Sequence, residues 1–155
     1  MSVNINLPRI LRVGAGASDH LASTLKHLGL SRPLLVTDPF MRECGYADRV
    51  VSGLDAAGIA HGVFAECVPD PTTDSVGQGL AALAAGSYDC LVALGGGSSI
   101  DTAKAVAAMA DRDGPMRDYK VPHLIDTGLP VIAIPTTAGT GSEATHAAVI
   151  TDSET

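Results

Sequence analysis

Short aliphatic runs alternate along the chain with longer stretches whose apolar residues recur at the three- and four-residue spacing of a helix. Strands and helices that alternate in this way form a parallel sheet through right-handed crossovers, with helices covering both faces. The pattern therefore predicts an α/β protein with its ligands at the carboxyl ends of the strands. The predicted strands are residues 10–13, 33–37, 59–64, 90–94 and 131–134, and residues 146–151 are a candidate for one more.

Four helices are predicted between these strands, and the first three end at a glycine. The last is rich in alanine, runs to about residue 110, and begins with Ser98 and Asp101 at the spacing of a capping box. The apolar faces of the first three helices consist of Leu21, Leu25 and Leu28, then Val50, Val51 and Leu54, then Val76, Leu80 and Leu83.

The composition describes one acidic domain. The chain has 155 residues, of which 46% are hydrophobic, and 10 Lys and Arg against 17 Asp and Glu give a formal charge of −7. A chain of this size buries roughly two-thirds of its extended surface, enough for one core, so we expect a single domain over residues 1–155. The absence of a basic cluster excludes nucleic acid as an expected partner. Without a signal sequence or an apolar run of ~20 residues, we expect no membrane partner and a cytoplasmic location.

Local spacing offers no metal site and no catalytic residue. The three cysteines are not in CxxC spacing, and no GxSxG nucleophile elbow occurs. The five histidines show no HxH, HxxxH or HExxH pattern, so no set of metal ligands is predicted from this sequence. They are His20, His27, His61, His123 and His146.

The segment Gly95-Gly96-Gly97-Ser98 joins a predicted buried strand to the start of a helix. Free N–H groups and the helix dipole favour an anion there, and glycines permit the close approach of a pyrophosphate. A turn closed by a capping box is the alternative. Asp101 would repel a phosphate, so we expect it to point toward the ribose or nicotinamide side of a dinucleotide. Lys104 is interpreted as a solvated or sheet-packed lysine.

Two other strand ends carry polar side chains. Asp38 follows the second predicted strand, where a carboxylate accepts hydrogen bonds from both ribose hydroxyls of an adenosine and repels a 2′-phosphate, or else caps a helix. Residues 135–143 form either a hydroxyl-lined turn beside the glycines or a turn that satisfies its own backbone. A partial GxG at Gly14 and Gly16 has Asp19 where the fingerprint requires a third glycine, and is interpreted as an ordinary turn.

Residues 95–104, GGGSSIDTAK, and residues 135–145, PTTAGTGSEAT, resemble the iron-containing (group III) alcohol dehydrogenase family. The strand that ends in Asp38, the PDPT turn at residues 69–72 and the VITD segment at residues 149–152 support the resemblance, which covers the whole chain. It implies the N-terminal dinucleotide-binding domain of that family: a Rossmann-like parallel sheet with helices on both faces, and NAD as cofactor. The implied contacts are Asp38 with the adenosine ribose, Gly96, Gly97 and Ser98 with the pyrophosphate, and Thr136, Thr137 and Thr140 along the cofactor cleft.

In that family an Asp and three His of a C-terminal helical domain hold the catalytic Fe²⁺ or Zn²⁺, and the resemblance implies that residues 1–155 end before that domain. The resemblance therefore implies the NAD-binding half of an enzyme that interconverts small alcohols and aldehydes or ketones by hydride transfer. We expect metal only in the missing domain, an inactive isolated chain, and a homo-oligomer such as a dimer. The alternatives are a maleylacetate reductase, another dehydroquinate-synthase-like enzyme, or a stand-alone nucleotide-binding module. Ser98 favours the alcohol dehydrogenase branch.

Overall fold

Four parallel strands form one sheet in the computed structural model, which describes residues 8–120, 125 and 127–154. The strands are β1 (Pro33–Val36), β2 (Gly62–Phe64), β3 (Cys90–Gly95) and β4 (Val131–Pro135), in the order β2-β1-β3-β4. The helices are α1 (Leu21–Leu28), α2 (Pro39–Glu43), α3 (Tyr46–Ala56), α4 (Thr73–Ala84) and α5 (Gly97–Met109), with short 3₁₀ helices at Ala17–His20 and Met116–Tyr119. This parallel α/β arrangement confirms the predicted fold class.

The core lies on both faces of the sheet because successive strand residues point to opposite sides. Strands β1 and β3 are buried at every position, as expected for central parallel strands. Helices α4 and α5 cover one face and α1 and α3 cover the other. The first face includes Leu34, Val36, Leu91, Val76, Ile100 and Val106, and the second includes Leu35, Val92, Leu94, Leu25 and Leu54.

Three predictions about local structure are wrong. Residues 10–13 are not a strand, because no ladder pairs them within the described residues; the side chains of Leu11 and Val13 are 73% and 87% exposed. Residues 146–151 contribute one isolated parallel bridge, between Thr151 and Thr72, instead of a strand. The second predicted helix, whose apolar face includes Val50 and Leu54, is in fact two helices, α2 and α3, separated at Gly45, whose φ of 78° is left-handed.

The predicted capping box of α5 is also wrong. Gly96 is the N-cap residue and no side chain caps the helix, so Ser98 lies inside the first turn. Gly95 has a φ of 148°, a conformation that favours glycine, and it turns the chain directly from β3 into the helix. In the described part of the chain, no helix is long and apolar enough to cross a membrane.

Candidate functional site

The polar segments that follow β1, β3 and β4 lie together at the carboxyl edge of the sheet. The Thr37 hydroxyl donates to the Leu94 carbonyl at 2.8 Å, joining the ends of β1 and β3. The Thr136 N–H donates to the Gly95 carbonyl at 2.9 Å, joining β3 to the end of β4. These bonds hold Asp38, the glycine loop (residues 95–98) and the threonine loop (residues 136–145) at one edge, where ligands of open α/β sheets bind.

The N-terminus of α5 is open to an anion. The first N–H groups of any helix lack an intrahelical acceptor, and in α5 no side chain caps them. Two helices at the same edge differ in this respect. Asp38 caps α2 by accepting from the Met41 N–H at 2.9 Å, and Thr72 forms a capping box with Ser75 in α4. The glycine loop is thus a backbone cradle with a positive helix dipole behind it.

The threonine loop lies directly against the glycine loop. A Cβ atom on Gly96 would be 3.2 Å from Thr137 Oγ1, and one on Gly97 would be 3.2 Å from both Thr140 Cγ2 and Ser142 Oγ. A side chain at either position would therefore press on the neighbouring loop and require its side chains to move by a few tenths of an ångström, a constraint that the sequence did not reveal. The threonine hydroxyls at residues 136, 137 and 140 are exposed beside the cradle.

Asp38 has one of the two roles that its sequence context left open, that of a helix cap, and the ribose contact stays a prediction. Its carboxylate is half-buried, and Oδ1 caps α2. Oδ2 accepts from the Ser99 hydroxyl at 3.2 Å, which places the carboxylate beside the first turn of α5. Since each carboxylate oxygen has two lone pairs, both oxygens keep acceptor capacity for a ligand.

Asp101 and Lys104 connect α5 to the residues that follow β4. Asp101 is 8% exposed, and its Oδ2 accepts from the Val149 N–H at 3.1 Å. Its Oδ1 has no hydrogen-bond partner among the described residues and lies 3.7 Å from Lys104 Nζ. The Lys104 ammonium donates to Thr145 Oγ1 at 3.2 Å and to the Ala147 carbonyl at 2.8 Å, so it ties down the end of the threonine loop.

The environment of Lys104 differs from the solvated or sheet-packed setting that the sequence suggested. Burial lowers the pKa of its ammonium, and the carboxylates of Asp101 and Glu143 oppose that shift. A half-buried cation facing two carboxylates is held in place by charge as well as by hydrogen bonds.

Two of the three cysteines, Cys67 and Cys90, are buried, and their thiols offer no nucleophile. Burial raises the pKa of Cys67 to about 11, despite nearby hydroxyls of Thr102 and Ser99 that favour the thiolate. Burial also raises the pKa of Cys90. Both thiols are therefore protonated at neutral pH.

The side chains of the described residues do not fit the metal of the family that the sequence resembles. Within residues 8–120, 125 and 127–154, no three His, Cys, Asp or Glu side chains come together as a metal site would require. His123, one of the five histidines considered from the sequence, lies outside the described residues.

A cavity of about 770 Å³ lies between the N-terminal segment, β4 and the end of the threonine loop. Its walls include Ile132 and Ile134 of β4, and Lys104 and Glu143 line it as well. Neither Asp38 nor the glycine loop lines this cavity, so the backbone cradle lies outside it, on the open edge of the sheet.

The chain is similar in sequence to known proteins over almost its whole length. Residues 8–155 match the family model described as iron-containing alcohol dehydrogenase. The chain is 39% identical to an NAD-dependent methanol dehydrogenase of Bacillus methanolicus, covering 97% of the chain and 40% of the relative. It is 41% identical to a choline dehydrogenase of Bacillus subtilis, covering 96% and 38%. Thus the chain spans about two-fifths of the length of these relatives.

A solved structure agrees in both fold and extent. Sulfoacetaldehyde reductase from Bifidobacterium kashiwanohense, crystallised in complex with NAD⁺, superposes with a TM-score of 0.89 at 32% identity. The match covers 98% of this chain and 40% of that one.

Proposed function

The chain belongs to the iron-containing alcohol dehydrogenase family, and from this membership we propose that it binds NAD(H) for hydride transfer between small alcohols and aldehydes or ketones. The observation that carries the proposal is the uncapped N-terminus of α5 beside the Asp38 carboxylate. An amide cradle suits a pyrophosphate, and an acceptor next to it suits a ribose.

The pyrophosphate would bind at Gly96, Gly97 and Ser98. Their backbone carries no side chain before Ser98, and the helix dipole of α5 favours the negative charge. The Ser98 hydroxyl is not used as a helix cap, so it is available as a donor to a phosphate oxygen.

The adenosine ribose would bind at Asp38. The carboxylate accepts from the two ribose hydroxyls of NAD(H) through its remaining lone pairs. The 2′-phosphate of NADP(H) would meet a negative charge at the same place, so Asp38 selects the unphosphorylated cofactor.

The nicotinamide would be directed by Thr136, Thr137 and Thr140, whose exposed hydroxyls line the space beside the cradle. Asp101 belongs to this part of the proposal, because its buried Oδ1 is an acceptor without a hydrogen-bond partner among the described residues. These residues would orient the cofactor. When bound, NAD⁺ would accept a hydride from the carbinol carbon while the hydroxyl proton passes to water, and in the reverse direction NADH would supply the hydride and water the proton. Since the described residues do not fit the family's metal, we assign no step to it here.

The test is a titration of the 155-residue chain with NADH and with NADPH, followed by cofactor fluorescence. We expect NADH to bind at least about tenfold more tightly, the ratio that corresponds to 1.4 kcal/mol. Asp38→Asn should narrow the ratio, because the amide keeps the cap of α2 but removes the charge. Asp74→Asn makes the same charge change on an exposed residue in the first turn of α4 and should leave the ratio unchanged.

Two outcomes would contradict the proposal in different ways. Binding of neither cofactor would exclude a dinucleotide site on this chain. Equal affinities for NADH and NADPH in the unmodified chain would exclude Asp38 as the selecting residue.

A further inference from the structure

We propose that Ser99 is a positioning residue that fixes the Asp38 carboxylate and thereby sets its preference for NADH over NADPH. The inference rests on the proposed NAD(H) site. Ser99 is 1% exposed, and its hydroxyl donates to Asp38 Oδ2 at 3.2 Å. The other oxygen of the same carboxylate accepts from the Met41 N–H at 2.9 Å. One donor from α2 and one from α5 therefore hold the carboxylate at both oxygens.

A carboxylate held at both oxygens differs from one held at a single oxygen. The second side-chain torsion of aspartate has a broad energy profile, so a single hydrogen bond leaves the plane of the group free to swing. The Ser99 bond removes this freedom before a ligand arrives. Fixing an acceptor in its bound orientation lowers the entropy that binding would otherwise cost, and it also keeps the negative charge where a 2′-phosphate would lie.

The local backbone makes room for this pair. A Cβ atom on Gly95 would lie 2.5 Å from Ser99 Oγ and 3.0 Å from Asp38 Oδ2, so a side chain at that position would displace both. Any residue other than glycine would also be strained at its φ of 148°. The glycine thus serves the Ser99–Asp38 contact as well as the turn into α5.

Ser99 has Asp38 as its charged acceptor. The nearby Thr102 hydroxyl donates to the Ser98 carbonyl at 2.8 Å, and the nearby Cys67 thiol is protonated at neutral pH because burial raises its pKa. A hydroxyl has one proton to donate, and hydrogen bonds to charged acceptors are the strong ones. We therefore infer that the Ser99 hydroxyl donates its proton to the Asp38 carboxylate.

The experiment is a double-mutant cycle of Ser99→Ala and Asp38→Asn, with dissociation constants for NADH and NADPH measured on each sample. Ser99→Ala should raise the dissociation constant for NADH about three- to tenfold, the effect of losing one hydrogen bond. It should change the dissociation constant for NADPH by less than about twofold. In the Asp38→Asn background the same substitution should change the NADH dissociation constant by less than about twofold. With the amide oxygen capping α2, the group that faces Ser99 is an uncharged NH2, which cannot accept the Ser99 proton. Ser23→Ala, which removes an exposed hydroxyl from α1, is the control and should change neither constant.

A merely structural role would give a different result. Loss of folded protein scales both dissociation constants alike, so it cancels from their ratio. An equal weakening of NADH and NADPH, or a Ser99→Ala effect that persists undiminished in Asp38→Asn, would overturn the inference. If neither cofactor binds the unmodified chain, the proposed function fails and the inference fails with it. If Asp38→Asn changes the ratio and Ser99→Ala does not, the inference alone fails.

Discussion

Two glycines of α4, two residues apart, should differ in how alanine changes the free energy of unfolding. Gly77 is exposed, and a Cβ atom there would have no neighbour within 4 Å. Gly79 is buried against α5, and a Cβ atom there would lie 2.6 Å from Val106 Cγ2. This contact matters for the site because α5 carries the glycine loop, and its packing on α4 fixes where that loop lies.

The expected magnitude follows from two opposing effects. Alanine is favoured over glycine inside a helix by about 1 kcal/mol, so Gly77→Ala should raise the free energy of unfolding by about that amount. At Gly79 the same gain is offset by overpacking, which costs roughly 1–3 kcal/mol. Val106 cannot yield easily, because a β-branched side chain in a helix has one strongly preferred rotamer and this one is fully buried. Gly79→Ala should therefore be neutral to destabilising by about 2 kcal/mol.

Urea unfolding of both variants measures this difference directly. The two free energies of unfolding should differ by about 1–3 kcal/mol, or roughly 2–12 °C in Tm. In a Val106→Ala background, where Cγ2 is absent, Gly79→Ala should no longer destabilise. If Gly79→Ala and Gly77→Ala stabilise the chain equally, Gly79 does not pack closely against Val106.

Two further substitutions test contacts away from Asp38. Burial opposes ionisation of Asp89. The N–H and hydroxyl of Ser31 and the N–H of Arg32 donate to its carboxylate, outweigh the effect of burial and lower the pKa of the carboxyl. Its stabilisation is therefore complete above about pH 4 and lost as the pH falls through the folded-state pKa. Urea midpoints should decline less steeply in acid for Asp89→Asn than for the unmodified chain, and parallel curves would contradict this. Lys104→Met should lower the free energy of unfolding by about 2–4 kcal/mol, because it removes the bond to Thr145 and the counter-charge of a buried carboxylate. Lys26→Met, at an exposed position of α1, is its control, and equal effects would show that the ammonium does not hold the threonine loop.

A strand could be predicted from the sequence only where its own residues indicate that it is buried in the sheet. Strands β1 and β3 are buried on both faces, so continuous aliphatic runs identify them without knowledge of their neighbours. Residues 10–13 have a similar aliphatic composition, but a strand also needs a partner backbone, which depends on tertiary structure. The division between α2 and α3 depends on the left-handed Gly45, and one glycine in a polar stretch does not reveal its φ.

The candidate site divides in the same way. The general rule for parallel sheets placed Asp38, the glycine loop and the threonine loop at strand ends, and the structure brings those three segments together. Whether these residues contact a cofactor stays a prediction. Ser99 and Lys104 were not assigned roles at the site, because their partners Asp38 and Thr145 lie 61 and 41 residues away in sequence. Motif spacing reports neighbours along a helix, and these contacts join different elements.

At the carboxyl edge of the sheet, the helices differ in how their N-termini are stabilised. A polar side chain at the N-cap stabilises a helix by about 1 kcal/mol relative to alanine and by a few tenths relative to glycine, and α2 and α4 have one. Helix α5 is the longest helix in the described residues, and it begins at three successive glycines without such a cap. Helices α1 and α3 also lack a side-chain cap, but only α5 begins in a run of glycines at the end of a buried strand. A start that local propensity does not favour is expected at functional sites. A bound phosphate would supply the missing acceptors, so the same residues that weaken the start of α5 are those that suit it to a dinucleotide.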